Sequence, residues 1–133
     1  MFDVDPKTEP LDRLTEKIIG CAIEVHKSVG PGLLESAYEE CRCFELASAG
    51  LEFRRQVSLP VVYKEIKLDC GYRLDIIVED QVIIEIKAVE RLAPIHEAQL
   101  LSYLRMLDRR VGLILNFHST ILKNGIKRIV NNY

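Results

Sequence analysis

No two cysteines in this chain are spaced as CxxC, and no histidine stands where it would complete a zinc site. The four cysteines are Cys21, Cys41, Cys43 and Cys70, and Cys41-x-Cys43 is too short a pattern to make a metal motif. Cys21 and Cys41 fall on the apolar faces of expected helices, where a cysteine serves as a small core residue. Free thiols suit a reducing compartment. No apolar run approaches the roughly 20 residues that span a bilayer. The opening residues include Asp3, Asp5, Pro6 and Pro10, where a secretory leader needs a basic start and an apolar stretch. These absences predict a cytoplasmic protein without a membrane segment. There is also no repeat, linker or low-complexity segment, and no excess of basic charge. A net charge of −2 does not advertise nucleic-acid binding. Local basic groups occur at Arg54-Arg55, Lys64 with Lys67, Arg105 with Arg109-Arg110, and Lys123 with Lys127-Arg128, and a near-neutral total can conceal one positive face.

What is present fits one compact domain over residues 1–133, with 48% apolar and 29% charged residues. Residues 1–10 read as a loose polar lead-in. Leu14, Ile18, Cys21, Ala22, Val25 and Val29 recur at three- and four-residue steps, predicting a helix over 11–28. Gly30-Pro31-Gly32 ends it. A second helix is expected over 33–48, with an apolar stripe of Leu34, Ala37, Tyr38, Cys41, Phe44 and Ala47 or Ala49. Residues 52–62 form a strand broken by Pro60, so it is bent or at an edge. Strands over 66–68, 72–78 and 81–89 follow, and their short connections favour an antiparallel meander. A helix over 94–108 comes next, with Pro94 in its first turn and Ile95, Ala98, Leu100 or Leu101, Leu104 and Met106-Leu107 as apolar positions. A buried strand over 111–117 then implies a right-handed parallel crossover. A last short strand fits 126–130. The order predicts an α/β domain with a mixed sheet.

The most informative segment is Val82 to Val89. Five of its eight residues are Val or Ile, yet it carries Glu85 and Lys87. Strand alternation puts both on one face. Two ionisable groups in so apolar a strand are costly unless they are paired or bind something. Asp75 lies ten residues upstream, on the neighbouring strand across the Glu79-Asp80 turn. Two acids and a lysine gathered this way suit metal-dependent cleavage of a phosphodiester.

Three further elements join them. Glu35 and Tyr38 are three apart on the second helix and share a face; taken singly, a carboxylate in a helix's first turn answers to the helix dipole. Gln99 and Tyr103 are i, i+4 neighbours on the helix after the Glu85 strand, and singly they are a half-buried polar stripe. His96 lies one turn before Gln99, where a lone histidine is read as structural or surface.

In this order the acid of an early helix, the acid of one strand, the ExK of the next and the QxxxY of the following helix resemble the PD-(D/E)XK nuclease superfamily, most closely its RecB-like branch. The string Gly32-x-x-Glu35-x-x-Tyr38 narrows the resemblance to the GxxExxY proteins of that superfamily. It covers about residues 12–130. One departure is Leu74, where the superfamily motif has a proline before the acid, a proline that is often absent in its members.

The resemblance implies a restriction-endonuclease-like core of helix, three-stranded meander, helix and strand. It implies that Asp75 and Glu85 hold Mg²⁺ or Mn²⁺, with the Ile86 carbonyl and Glu35 as further ligands. Lys87 would activate water and stabilise the charged transition state, and Gln99 and Tyr103 would brace the site or touch the nucleic-acid backbone. An iron–sulfur cluster of the kind some RecB-like nucleases carry is not expected, since no cysteine follows Cys70. The expected partner is nucleic acid, DNA ahead of RNA. A domain this small covers little of a duplex, which points to a homodimer. The alternatives are a non-catalytic nuclease fold that binds nucleic acid or protein, and an acidic cluster that serves only self-association.

Overall fold

A computed structural model describes residues 9–133. Of the expected lead-in, residues 1–8 lie outside that range, and Glu9 and Pro10 already belong to the first helix. The elements run α1 (Glu9–Val29), α2 (Glu35–Ser48), β1 (Phe53–Ser58), β2 (Val61–Tyr63), β3 (Ile66–Leu68), β4 (Arg73–Val78), β5 (Val82–Lys87), α3 (Pro94–Leu107), β6 (Val111–Asn116), a short 3-10 turn (Leu122–Gly125) and β7 (Ile126–Val130). Among the described residues no helix is long and apolar enough to cross a membrane.

Five strands form one mixed sheet in the order β1-β4-β5-β6-β7. β1 and β5 both pair antiparallel with β4, β5 and β6 are parallel from Val82↔Val111 to Lys87↔Asn116, and β7 is antiparallel to β6. Alternation along β5 divides the core. Val82, Ile84 and Ile86 pack with Ile18, Ala22 and Val25 of α1 and Tyr38 and Leu46 of α2. Ile83 packs on the other face with Leu100, Tyr103 and Leu104 of α3. The expected α/β architecture, a mixed sheet flanked by helices, is therefore present.

Three local expectations need correction. The meander in the sheet is β1-β4-β5, because β2 and β3 leave it as a separate two-stranded arm. Pro60 has no N–H to give the ladder, so the chain divides there, and β1 takes the edge position that was one of the two alternatives expected. On α2 the inward face is Tyr38, Glu39, Arg42, Cys43 and Leu46, while Leu34 and Phe44 are 77% and 70% exposed. On α3 the buried residues are Leu100, Tyr103 and Leu104, and Ile95 and Met106 point outward. Cys21 and Cys41 are half-buried against the core, and Cys43 is the buried one.

Candidate active site

The site begins where β4 stops pairing with β5. Their ladder runs Val78↔Val82, Ile77↔Ile83, Ile76↔Ile84 and ends there. One residue further, the Asp75 carboxylate takes the place of a backbone acceptor: its Oδ2 accepts the Ile86 N–H at 2.8 Å. Glu85 lies beside it, 6% exposed, and its Oε1 is buried without a hydrogen-bond partner. Alternation sets Lys87 on the same face, half-buried.

These groups act strongly on one another. Burial, and after it the Asp75 charge, pushes the Glu85 carboxyl up to about 8, against the pull of the Lys87 ammonium. Burial raises Asp75 too, while the Ile86 N–H, Glu85 and Lys87 work in the opposite direction. The pair therefore retains a proton near neutral pH. The Tyr103 hydroxyl, in the layer of α3 over the sheet, is pushed up to about 12 by burial and then by the Glu85 charge. Its ring meets the edge of Tyr72 at a centroid distance of 6.1 Å.

The opposite wall is α2. Tyr38 is fully buried, stacked on Phe117 at 4.4 Å between ring centroids. Its hydroxyl donates to the Gly30 carbonyl at 2.6 Å and accepts the Leu33 N–H at 3.1 Å. Tyr38 thus ties down the loop that starts its own helix. Gly32, at φ 106°, makes the turn in a region that side chains rarely adopt. Between the two, Glu35 is the first residue of α2, and its carboxylate accepts the Ala88 N–H at 3.2 Å. A cleft of about 200 Å³ results, lined by Glu35, Ser36, Glu39, Gln56, Asp75 and Ile86.

The structure therefore brings Glu35, Asp75 and Ile86 to one cleft, with Glu85 and Lys87 beside Asp75 and Tyr103 behind Glu85. Gln99 is half-buried, and among the described residues no hydrogen bond joins it to Asp75, Glu85 or Lys87. His96 serves the helix instead, its Nδ1 accepting the Ala93 N–H at 3.0 Å and so capping α3.

Three residues escaped the sequence reading. Glu39 is buried at 8% exposure on the cleft wall, and its position four residues after Glu35 was the available signal. Gln56 lies opposite Asp75 with φ 48°, which nothing in the sequence announces. Asn116 is buried, and its amide donates to the Val89 carbonyl at 2.9 Å and accepts the Val89 N–H at 3.1 Å. It anchors the chain just past Lys87.

Two neighbouring acids raised by burial, one with an orphaned oxygen, fit a hard divalent cation. Among the described residues no three His, Cys, Asp or Glu side chains close into a cage. The residues that could hold an ion are thus Asp75, Glu85 and the Ile86 carbonyl, with water completing the shell. In the comparisons with known proteins, a family model described as PD-(D/E)XK nuclease superfamily matches residues 12–129. No curated protein and no solved structure matches the chain.

Proposed function

The chain belongs to the PD-(D/E)XK nuclease superfamily, and from that premise we propose that it is a divalent-metal-dependent nuclease that hydrolyses phosphodiester bonds in nucleic acid, DNA ahead of RNA. Nucleases of this superfamily typically use divalent metal ions; the ion we assign here is Mg²⁺ or Mn²⁺. The Gly32, Glu35 and Tyr38 string supports a place among the GxxExxY proteins of the RecB-like branch. The observation that carries the reading is the Asp75–Glu85 pair, a half-buried acid next to a buried one whose Oε1 has no partner, beside Lys87.

The residues divide the work by chemistry. Asp75, Glu85 and the Ile86 carbonyl would hold the cation, and Glu35 would act on it directly or through water. When bound, the ion polarises a phosphoryl oxygen and lowers the pKa of water. The Lys87 ammonium would orient the attacking water and offset the negative charge that develops on the phosphoryl oxygens. Tyr38 fixes the loop that positions Glu35. Tyr103 packs over Glu85 and keeps bulk water from it. Gln99 is assigned to the substrate backbone, since it does not reach the carboxylates.

Cleavage of single- and double-stranded DNA and of RNA with Mn²⁺ tests this, comparing wild type with Glu85→Ala and Lys87→Ala. We expect losses of 100-fold or more in both variants. Equal activity in all three proteins would sink the assignment. A second reading, a nuclease fold that binds nucleic acid or a protein without cutting, draws on the absence of a closed three-acid cage among the described residues. It requires cation or nucleic-acid binding with no turnover. A homodimer and a cytoplasmic location complete the proposal, and light scattering checks the first.

A further inference from the structure

Glu39 is the one acid lining the cleft to which the proposed mechanism gives no role. It is 8% exposed, on the α2 face that carries Glu35 one turn earlier. Both its oxygens are held: Oε1 accepts the Gln56 amide at 2.6 Å and Oε2 accepts the Arg55 guanidinium at 2.8 Å. Arg55 is also bound by Glu40 at 2.6 Å.

The backbone under this arrangement is strained. Register between β1 and β4 runs from Arg55↔Ile76 to Val57↔Leu74 and skips the position between, where Gln56 faces Asp75. Gln56 has φ 48° there, a left-handed conformation inside a strand for a residue with a side chain. Strain of that kind persists where the surroundings hold it. What it achieves here is to turn the Gln56 amide onto Glu39, over the cleft that also contains Glu35, Asp75 and Ile86. A buried carboxylate set among other acids is costly unless positive charge compensates it. Arg55 supplies that charge from β1, with its side chain 35% exposed. Its guanidinium reaches the cleft only through Glu39, on which a cation would exert the same attraction.

We propose that Glu39 is a second acid contributed by α2 to the cation site, acting on the cation's water shell, and that Arg55 is a tethered counter-ion that competes with the cation for it. This rests on the metal-dependent reading of the cleft. Glu39 is a positioning residue, since a hydrated divalent ion keeps several of its waters and offers them as donors to nearby carboxylates. Gln56 aims the carboxylate, and Arg55 keeps the cleft from carrying an uncompensated charge before the ion arrives.

The two residues therefore have opposite effects on cation affinity, which a structural role for the Arg55–Glu39 pair does not produce. The test is calorimetric titration of the full chain with Mn²⁺ alone, for wild type, Glu39→Gln, Arg55→Gln and Asp75→Asn, with melting curves for each. We expect Glu39→Gln to weaken binding tenfold or more, and Arg55→Gln to tighten it severalfold. Asp75→Asn abolishes binding. Binding that is lost in Asp75→Asn but unchanged within twofold in Glu39→Gln overturns this inference and leaves the metal site standing. Absence of binding by the wild type overturns both. Should Glu39→Gln fail to fold, Arg55→Gln decides: tightening supports the counter-ion, and equal or weaker binding overturns it.

Discussion

The Ile86 N–H donates to the Asp75 carboxylate at 2.8 Å, so the acid of β4 is fastened to the backbone between Glu85 and Lys87. Continued register would have paired Ile86 with a main-chain carbonyl of β4, but the ladder ends at Ile76↔Ile84. A side chain thus replaces a rung of the sheet. The two acids and the lysine form one unit, because displacing Asp75 leaves a backbone donor of the ExK strand without its partner.

From this unit follows a dependence of stability on pH. The Glu85 carboxyl rises from 4.5 to about 8 in the folded protein. The folded state thus keeps a proton that the unfolded chain has released, and stability falls as pH climbs from about 4.5 to 8. The contribution is on the order of 3–5 kcal/mol across that window. Thermal unfolding in chelator should show wild type losing stability over this range relative to Glu85→Gln. Saturating Mn²⁺ should reverse the trend, because a cation favours the ionised carboxylates. A difference between the two proteins that stays flat with pH in chelator contradicts the assignment.

Tyr38→Phe removes one hydroxyl and two hydrogen bonds, to the Gly30 carbonyl and from the Leu33 N–H. The ring stack on Phe117 remains. We expect a loss of about 1–3 kcal/mol by chemical denaturation, since both backbone partners lose their bond. Because Glu35 begins the helix that this loop introduces, cleavage should fall several-fold with the protein still folded. Unchanged stability would show that the hydroxyl does not hold the loop.

How much of this was legible depends on the scale of the cause. The β5 pattern and the order of helices and strands follow from local alternation and apolar spacing, and they were readable. That Asp75, Glu85 and Glu35 come near one another was also readable, because order and spacing set which elements carry them. The rotation of α2 was not. An apolar stripe through Leu34 and Phe44 looks correct in isolation, but the stacking of Tyr38 on Phe117 turns the helix so that Glu39 and Arg42 face inward. Glu39 and Glu40 are indistinguishable in sequence, and only packing buries the first and exposes the second. Likewise Pro60 signals a break, but whether the chain bends or leaves the sheet depends on which strand β4 accepts as its partner.

Arg42 offers a test of a different kind. It is fully buried, and none of its three guanidinium nitrogens has a hydrogen-bond partner. Burial pulls it down to about 10, against the influence of Cys21, Cys43 and Glu45, so it is still charged at neutral pH. Replacing a buried ion pair by well-packed apolar residues is often neutral or stabilising by about 1–4 kcal/mol, and Arg42 carries the desolvation cost of burial without an ion-pair partner among the described residues. Arg42→Met should therefore raise the denaturation midpoint without changing cleavage. A destabilised Arg42→Met protein would mean that the guanidinium supports the fold through an interaction other than a hydrogen bond.

The β2–β3 arm bears on the substrate. Val62, Tyr63 and Ile66 are 59%, 58% and 59% exposed, and Lys64 lies 5.4 Å from the centroid of the Tyr63 ring. Lys67 pairs across from Val62. At the base of the arm, Tyr72 touches Tyr103 and so reaches the Glu85 side of the site. Exposed aromatic rings beside lysines suit stacked bases and phosphates. We expect nucleic acid bound at the site to meet the arm. The double variant Lys64→Ala, Lys67→Ala should then weaken binding by roughly tenfold and flatten the dependence of log affinity on log salt by about 1.4–1.8, the share of two phosphate contacts. Tyr63→Ala should weaken single strands more than duplex, because only unpaired bases offer a free face to stack on. Fluorescence anisotropy over a salt series measures both. A double variant with the wild-type salt slope would remove the arm from the substrate path and assign its apolar face to a protein contact.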